Sequence, residues 1–452
     1  MIFDVHSSKC RLPKKTIAPN PHPGKRLLAC FTSPNATLKG ILVKHFPLRT
    51  TEKHFKVMTE DGKQKAPTLE GDKALELWRE GADVWNSWIE EHPGWNISFA
   101  GVDFASERDS EGRLSFSGYH FGDGHVSFSN AIFGGGNVDF SWATHGEGYV
   151  LFHLTTFGDG KLDFFSATLG RLNFQDTTFA KIKIDFTLAK LKELIFNPAA
   201  MDSSHIKARN ISVKIRATFV FDRFADNLDS FDLQGASFDG PLTIAGNMRN
   251  VPDLRATRYT HQVDLSVLKV KLRRTHQAIK SFKRFSAKAE HLEDAARLRR
   301  LKEIAETNKD HQAALRFSAD ENRARRWIET SWFGSVLDMA FSACSNYGQS
   351  ILRPFVALFV LAVASMGLYK KLAVTTEIAW WTGPGWGQSL LLSISNSLPF
   401  LPQSRGLRED ALKALYPGDP SLWVDALMIG QGVLSFAFLF LIGLGLRNRF
   451  RL

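Results

Sequence analysis

The side chains able to carry chemistry in this chain are spread rather than gathered. Its fourteen histidines are scattered along 452 residues. No His-Glu-x-x-His, Gly-x-Ser-x-Gly, Walker or paired-cysteine pattern occurs. Such patterns hold a base, a nucleophile or a ligand pair at a fixed separation, and without them the matching zinc, acyl-transfer and P-loop chemistries lose their motif. Cys10, Cys30 and Cys344 are far apart and odd in number. They read as reduced thiols in a cytosolic environment, not as a disulfide framework or a metal site. The glycine pairs Gly122/Gly124, Gly134/Gly136, Gly146/Gly148 and Gly158/Gly160 are not a phosphate cradle, because no helix follows them. No catalytic, cofactor or metal site is expected, and the chain is not expected to be an enzyme.

Two groups remain. Ser393, Asn396, Ser397 and Phe400 lie in and just after Gln388–Leu398, an apolar, hydroxyl-rich stretch that Pro399 and Pro402 break. Eleven residues are too few to span a bilayer, so residues 380–403 read as a re-entrant or interfacial helix. If the chain forms a pore, these four residues line its constriction. Arg323, Arg325 and Arg326 form the second group, a lipid-facing basic cluster ahead of a membrane-seeking stretch. The formal charge of +11 and pI near 9.5 point to anionic partners, phospholipid headgroups or nucleic acid. No recognition motif or zinc-finger spacing supports nucleic acid, so anionic membrane lipid is the expected partner.

The elements that must position these groups begin with a repeat. The chain holds 36 Phe against 6 Tyr, and Phe has no polar handle, so its rings need burial. Phe104, Phe116, Phe128, Phe140, Phe152 and Phe164 are each twelve residues apart, and Phe121, Phe133, His145, Phe157 and Leu169 follow five residues behind the latter five. Further on, the step contracts to five, as at Leu169, Phe174 and Phe179. Four five-residue steps can make one square turn of a right-handed parallel β-helix, with the bulky residue stacking one coil above its counterpart. Ala131, Thr155, Ala167 and Thr177, two residues earlier, are small because they also point inward. His145, on a phenylalanine position, reads as a core substitution rather than a ligand. The glycine pairs fall at two-residue insertions, where positive φ is expected at a widened corner.

These blocks (RLSFSGYHFGDG, HVSFSNAIFGGG, KLDFFSATLG) resemble the pentapeptide-repeat family in a degenerate, Phe-centred form over residues 96–245. The likeness weakens between Ile195 and Arg223 and returns as FDLQGASFDG. Asp72–Glu91, within a 71–95 segment, resembles the family's amphipathic N-terminal cap, with Trp78, Trp85 and Trp88 on its stripe. Some members mimic DNA, which needs an acidic surface that this basic chain lacks. The likeness of the C-terminal half is to membrane-attached bacterial members, which implies a membrane location and no settled activity.

Residues 251–330 carry 19 Lys and Arg against 11 Asp and Glu. They read as a basic helical linker with helices near Ala287–Glu306 and Asp310–Ile328. Residues 331–350 read as a helix in the headgroup plane. Transmembrane helices are expected over 351–374 and 425–446, forming a hairpin. Trp380, Trp381 and Trp386 suit an interfacial belt between them. Residues 1–70 are Pro-rich at first and then suggest a small β unit. The N-terminus has no apolar core for a cleavable signal. Arginines before the first span and after the second put both termini and the β-helix on the cytoplasmic side of the inner membrane, although Lys370, Lys371 and Arg405 dissent.

The expected fold is therefore multi-domain. Two function classes follow. One is a membrane-anchored scaffold that offers its β-helix to a protein partner. The other is a homo-oligomeric channel with two spans and a re-entrant loop per subunit, gated by the β-helix.

Overall fold

The computed structural model describes residues 66–221, 228–276, 287–373, 385–398, 400–418 and 420–450. The expectations for residues 1–65, including Cys10 and Cys30, and for Trp380, Trp381 and Pro399 fall outside the described residues.

Backbone pairing explains the repeat. From Thr68–Glu70 to Lys269–Val270, the strands pair in parallel with strands one coil away, building a β-solenoid of about seven turns. Val126 pairs with Val150 and Val138 with Leu162, a step of 24 residues. Leu172 pairs with Leu194 and Ile184 with Ile206, a step of 22. A twelve-residue block is therefore half a coil, and the single phenylalanine ladder of the sequence divides into separate stacks. Phe116, Phe140, Phe164 and Phe186 stack at centroid distances of 4.7, 5.1 and 5.0 Å. Phe99, Phe128, Phe152 and Phe174 form a second stack. Phe104 belongs to a third, with Phe133, Phe157 and Phe179. All of these rings are buried. The small inward positions are buried too, and Thr155 and Thr177 donate their hydroxyls to the carbonyls of Phe128 and Phe152.

The expected positive φ is found at Gly122, Gly134, Gly136 and Gly160, and it also occurs at non-glycine corners. Positive φ recurs two residues after an inward side chain, at Asn130 (58°), Trp142 (61°), Leu154 (55°), Ser166 (54°) and Leu188 (63°). A non-glycine residue there costs roughly 1–2 kcal/mol. Neighbouring coils hold it in place: Trp142 N donates to Phe165 O at 3.0 Å and Asn130 N to His153 O at 2.9 Å. The glycine pairs do two jobs. Gly136 takes φ 115°, whereas a Cβ on Gly148 would lie 2.1 Å from Gly124 O. That glycine permits close approach of the coils and does not turn a corner.

Helices close both ends. The N-terminal cap is two helices, α1 (Asp72–Arg79) and α2 (Ala82–Glu91), parted at Gly81 with φ 97°. Trp78 and Trp85 plug the first coils, donating their indole N–H groups to Ser115 O and His120 O. The coils continue through residues 195–221, where the repeat looked weakest, and at the other end run past the expected limit of residue 245 to Val270. A short antiparallel pair follows, Arg274–His276 with Ala287–Ala289. Helices α3 (Asp294–Thr307) and α4 (His311–Arg325) then cover the last coil. Leu298, Leu301, Ile304 and Phe317 join the solenoid core, and Arg300, Asn308 and Arg316 donate to the carbonyls of Thr257, Val263 and Ser266. The basic linker expected over 251–330 is thus the final coils plus a C-terminal cap. Its charge belongs to the cap's outer side and its ion pairs, while its apolar stripe seals the core. Asp253, nearly buried, binds Arg255 and Arg297 together. Burial raises its carboxyl, but these arginines outweigh burial and leave it below its ordinary value.

The C-terminal helices are α5 (Trp332–Ser345), α6 (Leu352–Ala373), α7 (Trp386–Ser397), α8 (Ser404–Leu415) and α9 (Leu422–Phe450). α6 and α9 are long and apolar enough to cross a membrane. α8 was not foreseen.

Replacing Phe152 by Ala opens a cavity among rings on three sides and should destabilise the solenoid by about 3–5 kcal/mol. Denaturant unfolding followed by far-ultraviolet circular dichroism reads this. A loss below about 1 kcal/mol would contradict the stacked core.

Candidate functional site

The search for a reactive centre starts with the buried polar groups of the solenoid. His145 sits among the glycine corners. Its Nε2 lies 2.8 Å from Gly124 O, and Gly170 N donates to its Nδ1 at 3.3 Å. One nitrogen donates and the other accepts, so the ring is neutral and bound on both sides to backbone. Burial pushes its pKa down, reinforced by His125 and His120 and opposed by the bond to Gly124. It fills the column of Phe121 and Leu169 as a hydrogen-bonded core residue. Among the described residues, no group of three His, Cys, Asp or Glu side chains is placed to hold a metal ion.

Polar side chains do converge in the C-terminal helices. α7 carries Ser389, Ser393, Asn396 and Ser397 on one face, about one turn apart, and that face is buried. Its twelve residues extend about 18 Å, and Ser393 Oγ donates to Ala362 O, midway along α6, at 2.7 Å. The centre of the knot is Gln431 of α9, only 2% exposed. Its Nε2 donates to Ser393 O at 3.0 Å and to the hydroxyls of Ser393 and Ser397 at 2.9 Å. Its Oε1 accepts from Tyr369 of α6 at 2.7 Å and from Asn396 Nδ2 at 3.2 Å. Asn396 also donates to Met428 O at 2.8 Å. Tyr416, after α8, donates to Tyr369 O at 2.8 Å. One glutamine thus bolts α6, α7 and α9 together.

This placement changes the reading of the expected pore residues. Ser393, Asn396 and Ser397 are brought together, but their polar groups are engaged within one chain and face α6 and α9. Phe400 lies apart, 66% exposed. Gln431 and Tyr369 escaped sequence reading because each sits within a long apolar run that reads as a span. Their signal was a polar group inside an apolar run, which needs an internal partner.

The arginines expected to face lipid have partners within the chain. Arg326 is 8% exposed and binds Asp338 of α5, with Nε at 2.8 Å from Oδ2, and Tyr347 OH at 2.9 Å. Tyr347 OH donates to the same carboxylate at 2.8 Å. Arg323 pairs with Asp320 at 2.6 Å, reaches Asn346 and lies 5.3 Å over the Tyr347 ring. Arg325 alone points outward, paired with Glu329 at 2.8 Å. A buried guanidinium requires a hydrogen-bonded counter-ion, so this cluster joins α4 to α5 before it meets any outside partner.

Compared with family models, with curated proteins and with solved structures, the chain matches none. Fold and site together define a class: a parallel β-solenoid, capped by helices, joined to a helical region with two helices able to span a membrane.

Replacing Gln431 by Leu leaves Tyr369, Asn396 and two serines short of a partner. It should lower the stability of the helical region by about 1–3 kcal/mol, read as an earlier thermal transition of the purified chain. An unchanged transition would show that the knot is not a bolt. For His145 the folded pKa lies below the ordinary 6.5, so the unfolded chain takes up a proton first as the solution is acidified. Its contribution is present above pH 6.5 and is lost as pH falls below that value. His145→Phe should flatten the acid-side decline in melting temperature. An equal decline in both proteins would refute this.

Proposed function

We propose that the chain is a membrane-anchored interaction scaffold, its solenoid held at the bilayer surface by the C-terminal helices. The observation that carries this reading is polarity turned inside out. In α5 to α9 the buried side chains include Ser335, Ser345, Ser393, Asn396 and Gln431, while Trp332, Phe333, Phe359, Trp423 and Phe440 are exposed. Only 17% and 11% of the most apolar stretches of α6 and α9 are buried. A core helix of a water-soluble protein would be mostly covered, and contiguous apolar exposure on this scale marks a surface built for another apolar phase. α5 fits the interfacial reading in the same way. Asp338 and Ser335 face the protein, and Trp332, Phe333 and Leu337 face outward.

Other features support the finer reading. Antiparallel α6 and α9 meet at one end, where Asn448 Nδ2 donates to Gly348 O at 3.2 Å and a Cβ on Gly445 would lie 3.0 Å from Ile351. Arg353, Arg447 and Arg449 gather at that end, which favours a cytoplasmic base with both span termini on the solenoid's side of a bacterial inner membrane. The five-residue steps favour a right-handed, pentapeptide-type coil. Trp142, 61% exposed, and Leu154 and Leu188, also exposed, stand on corners whose left-handed conformation disfavours bulky residues. Apolar corners of this kind favour a protein partner on the solenoid. The channel reading draws less support, because its proposed lining is engaged within one chain.

After expression in bacterial cells, the chain should stay with the membrane pellet through an alkaline carbonate wash and leave it only in detergent. Recovery in the carbonate supernatant would overturn the anchor. Steady unitary currents from reconstituted protein would instead favour the channel.

A further inference from the structure

Between the C-terminal cap and α5 lies a charge imbalance that the fold does not use. Asp320 of α4 is the centre. Arg323 holds it directly at 2.6 Å, and the charges of Arg274 and Arg316 also act on it. Arg274 arrives from Arg274–His276, whose partner strand Ala287–Ala289 packs on α4. Arg326 stands beside Arg323 with Asp338 as its counter-ion. Four guanidinium groups thus face two carboxylates. Among the described residues, neither Arg274 nor Arg316 forms an ion pair with a carboxylate. Arg316 donates Nη2 to Ser266 O at 3.1 Å and leaves its buried Nε without a partner. Asp320 is itself a weakened counter-ion, because burial raises its carboxyl above the ordinary value despite the three arginines.

Like charges crowded into a half-buried niche are unfavourable unless an anion completes them. Guanidinium groups are suited to phosphate, which they bind through paired N–H donors. The position selects the source. The niche adjoins α5, whose polar side holds Asp338 against Arg326 and whose apolar side is bare. If α5 lies in the headgroup plane, the arginines stand at phosphate depth.

We propose that Arg274, Arg316, Arg323 and Arg326 form a binding site for the phosphate of an anionic phospholipid at the joint between the solenoid cap and the membrane helices. This rests on the membrane reading above. A lipid held there ties the solenoid to the bilayer independently of the spans.

The test uses the full chain in detergent, delipidated, with dioleoyl phosphatidylglycerol, dioleoyl phosphatidylcholine or inorganic phosphate added and bound molecules counted by native mass spectrometry. Phosphatidylglycerol should be retained and phosphatidylcholine should not. Arg274→Gln with Arg316→Gln should weaken retention roughly thirtyfold, taking about 1 kcal/mol per basic residue. Arg299→Gln with Arg325→Gln makes the same charge change on outward arginines and should leave retention unchanged. Equal weakening by both pairs would reduce the effect to diffuse surface charge and overturn the site. Phosphate that competes the lipid away would assign the niche to a free oxyanion and overturn the lipid source. A thermal melt of each variant separates loss of the site from loss of fold, and melting far below the parent moves the count to the single Arg274→Gln chain, where a fivefold loss supports the site and none refutes it. A protein that needs no detergent sinks the membrane reading itself. One that inserts but holds both lipids equally sinks only the arginine niche.

Discussion

The constraint on which this structure depends is the parallel backbone ladder between coils. Each coil must place its N–H groups on the carbonyls of the next, which fixes the coil separation near 4.8 Å. Aromatic rings pointing inward then have no choice of spacing. They repeat at that interval and lie face over face, as the 4.7 to 5.1 Å separations along Phe116, Phe140, Phe164 and Phe186 show. Tyrosine would carry a hydroxyl into a column with nothing to receive it, which explains the preference for phenylalanine. The same separation governs the corners. A side chain at Gly148 would strike the coil beneath, whereas one at Trp142 projects outward and survives despite its unfavourable backbone conformation.

A stack of this kind has two open ends, and each end exposes unpaired backbone that invites another chain. The chain meets both with helices of a similar design. Trp78 and Trp85 close one end with rings inside and indole N–H groups on carbonyls. Leu298, Leu301, Ile304 and Phe317 close the other, with Arg300, Asn308 and Arg316 taking the carbonyls of the last coil. The cap is therefore part of the solenoid core, and it continues directly into the element that joins the C-terminal helices. Gln349 Nε2 donates to Leu315 O at 2.9 Å, and Arg326 bridges to Asp338. Nothing in this joint resembles a loose linker.

Much of this was legible because it is periodic. The twelve-residue phenylalanine spacing and the apolar runs after residue 350 announce a solenoid and two long helices directly. The half-coil meaning of the period was hidden, because a spacing tells nothing about how many steps close a turn. The coils beyond residue 245 were missed for a related reason: Val251, Leu254, Val263, Leu265 and Leu268 fill the inward positions in place of phenylalanine, and their spacing is too irregular to read as a repeat. α8 was missed because its charged outer residues, Arg405, Arg408 and Lys413, resemble a loop. At the polar knot, hydroxyl spacing on α7 pointed to a site, but its partners lie 31 to 38 residues away, and no local pattern reports such a bond.

The inverted helices give the knot its meaning. In water, a buried glutamine with serines around it contributes little, since solvent offers the same bonds to the unfolded chain. In hydrocarbon there is no such alternative, and a polar side chain that has found its partners is held there because leaving them exposes it to lipid. A helix as short as α7 cannot rest on length, because it does not reach across, nor on apolar contact alone, because lipid tails match its leucines. Hydrogen bonds to Ala362, Met428 and Gln431 are what fix it between α6 and α9, and under the proposed membrane reading they would hold it at mid-depth. The same logic orders the joint below, where arginines meet carboxylates beneath an outward apolar face. Under the membrane reading proposed above, solenoid and helices would answer opposite solvents with one rule: the exposed surface matches the phase, and groups unlike it are turned inward, most of them paired.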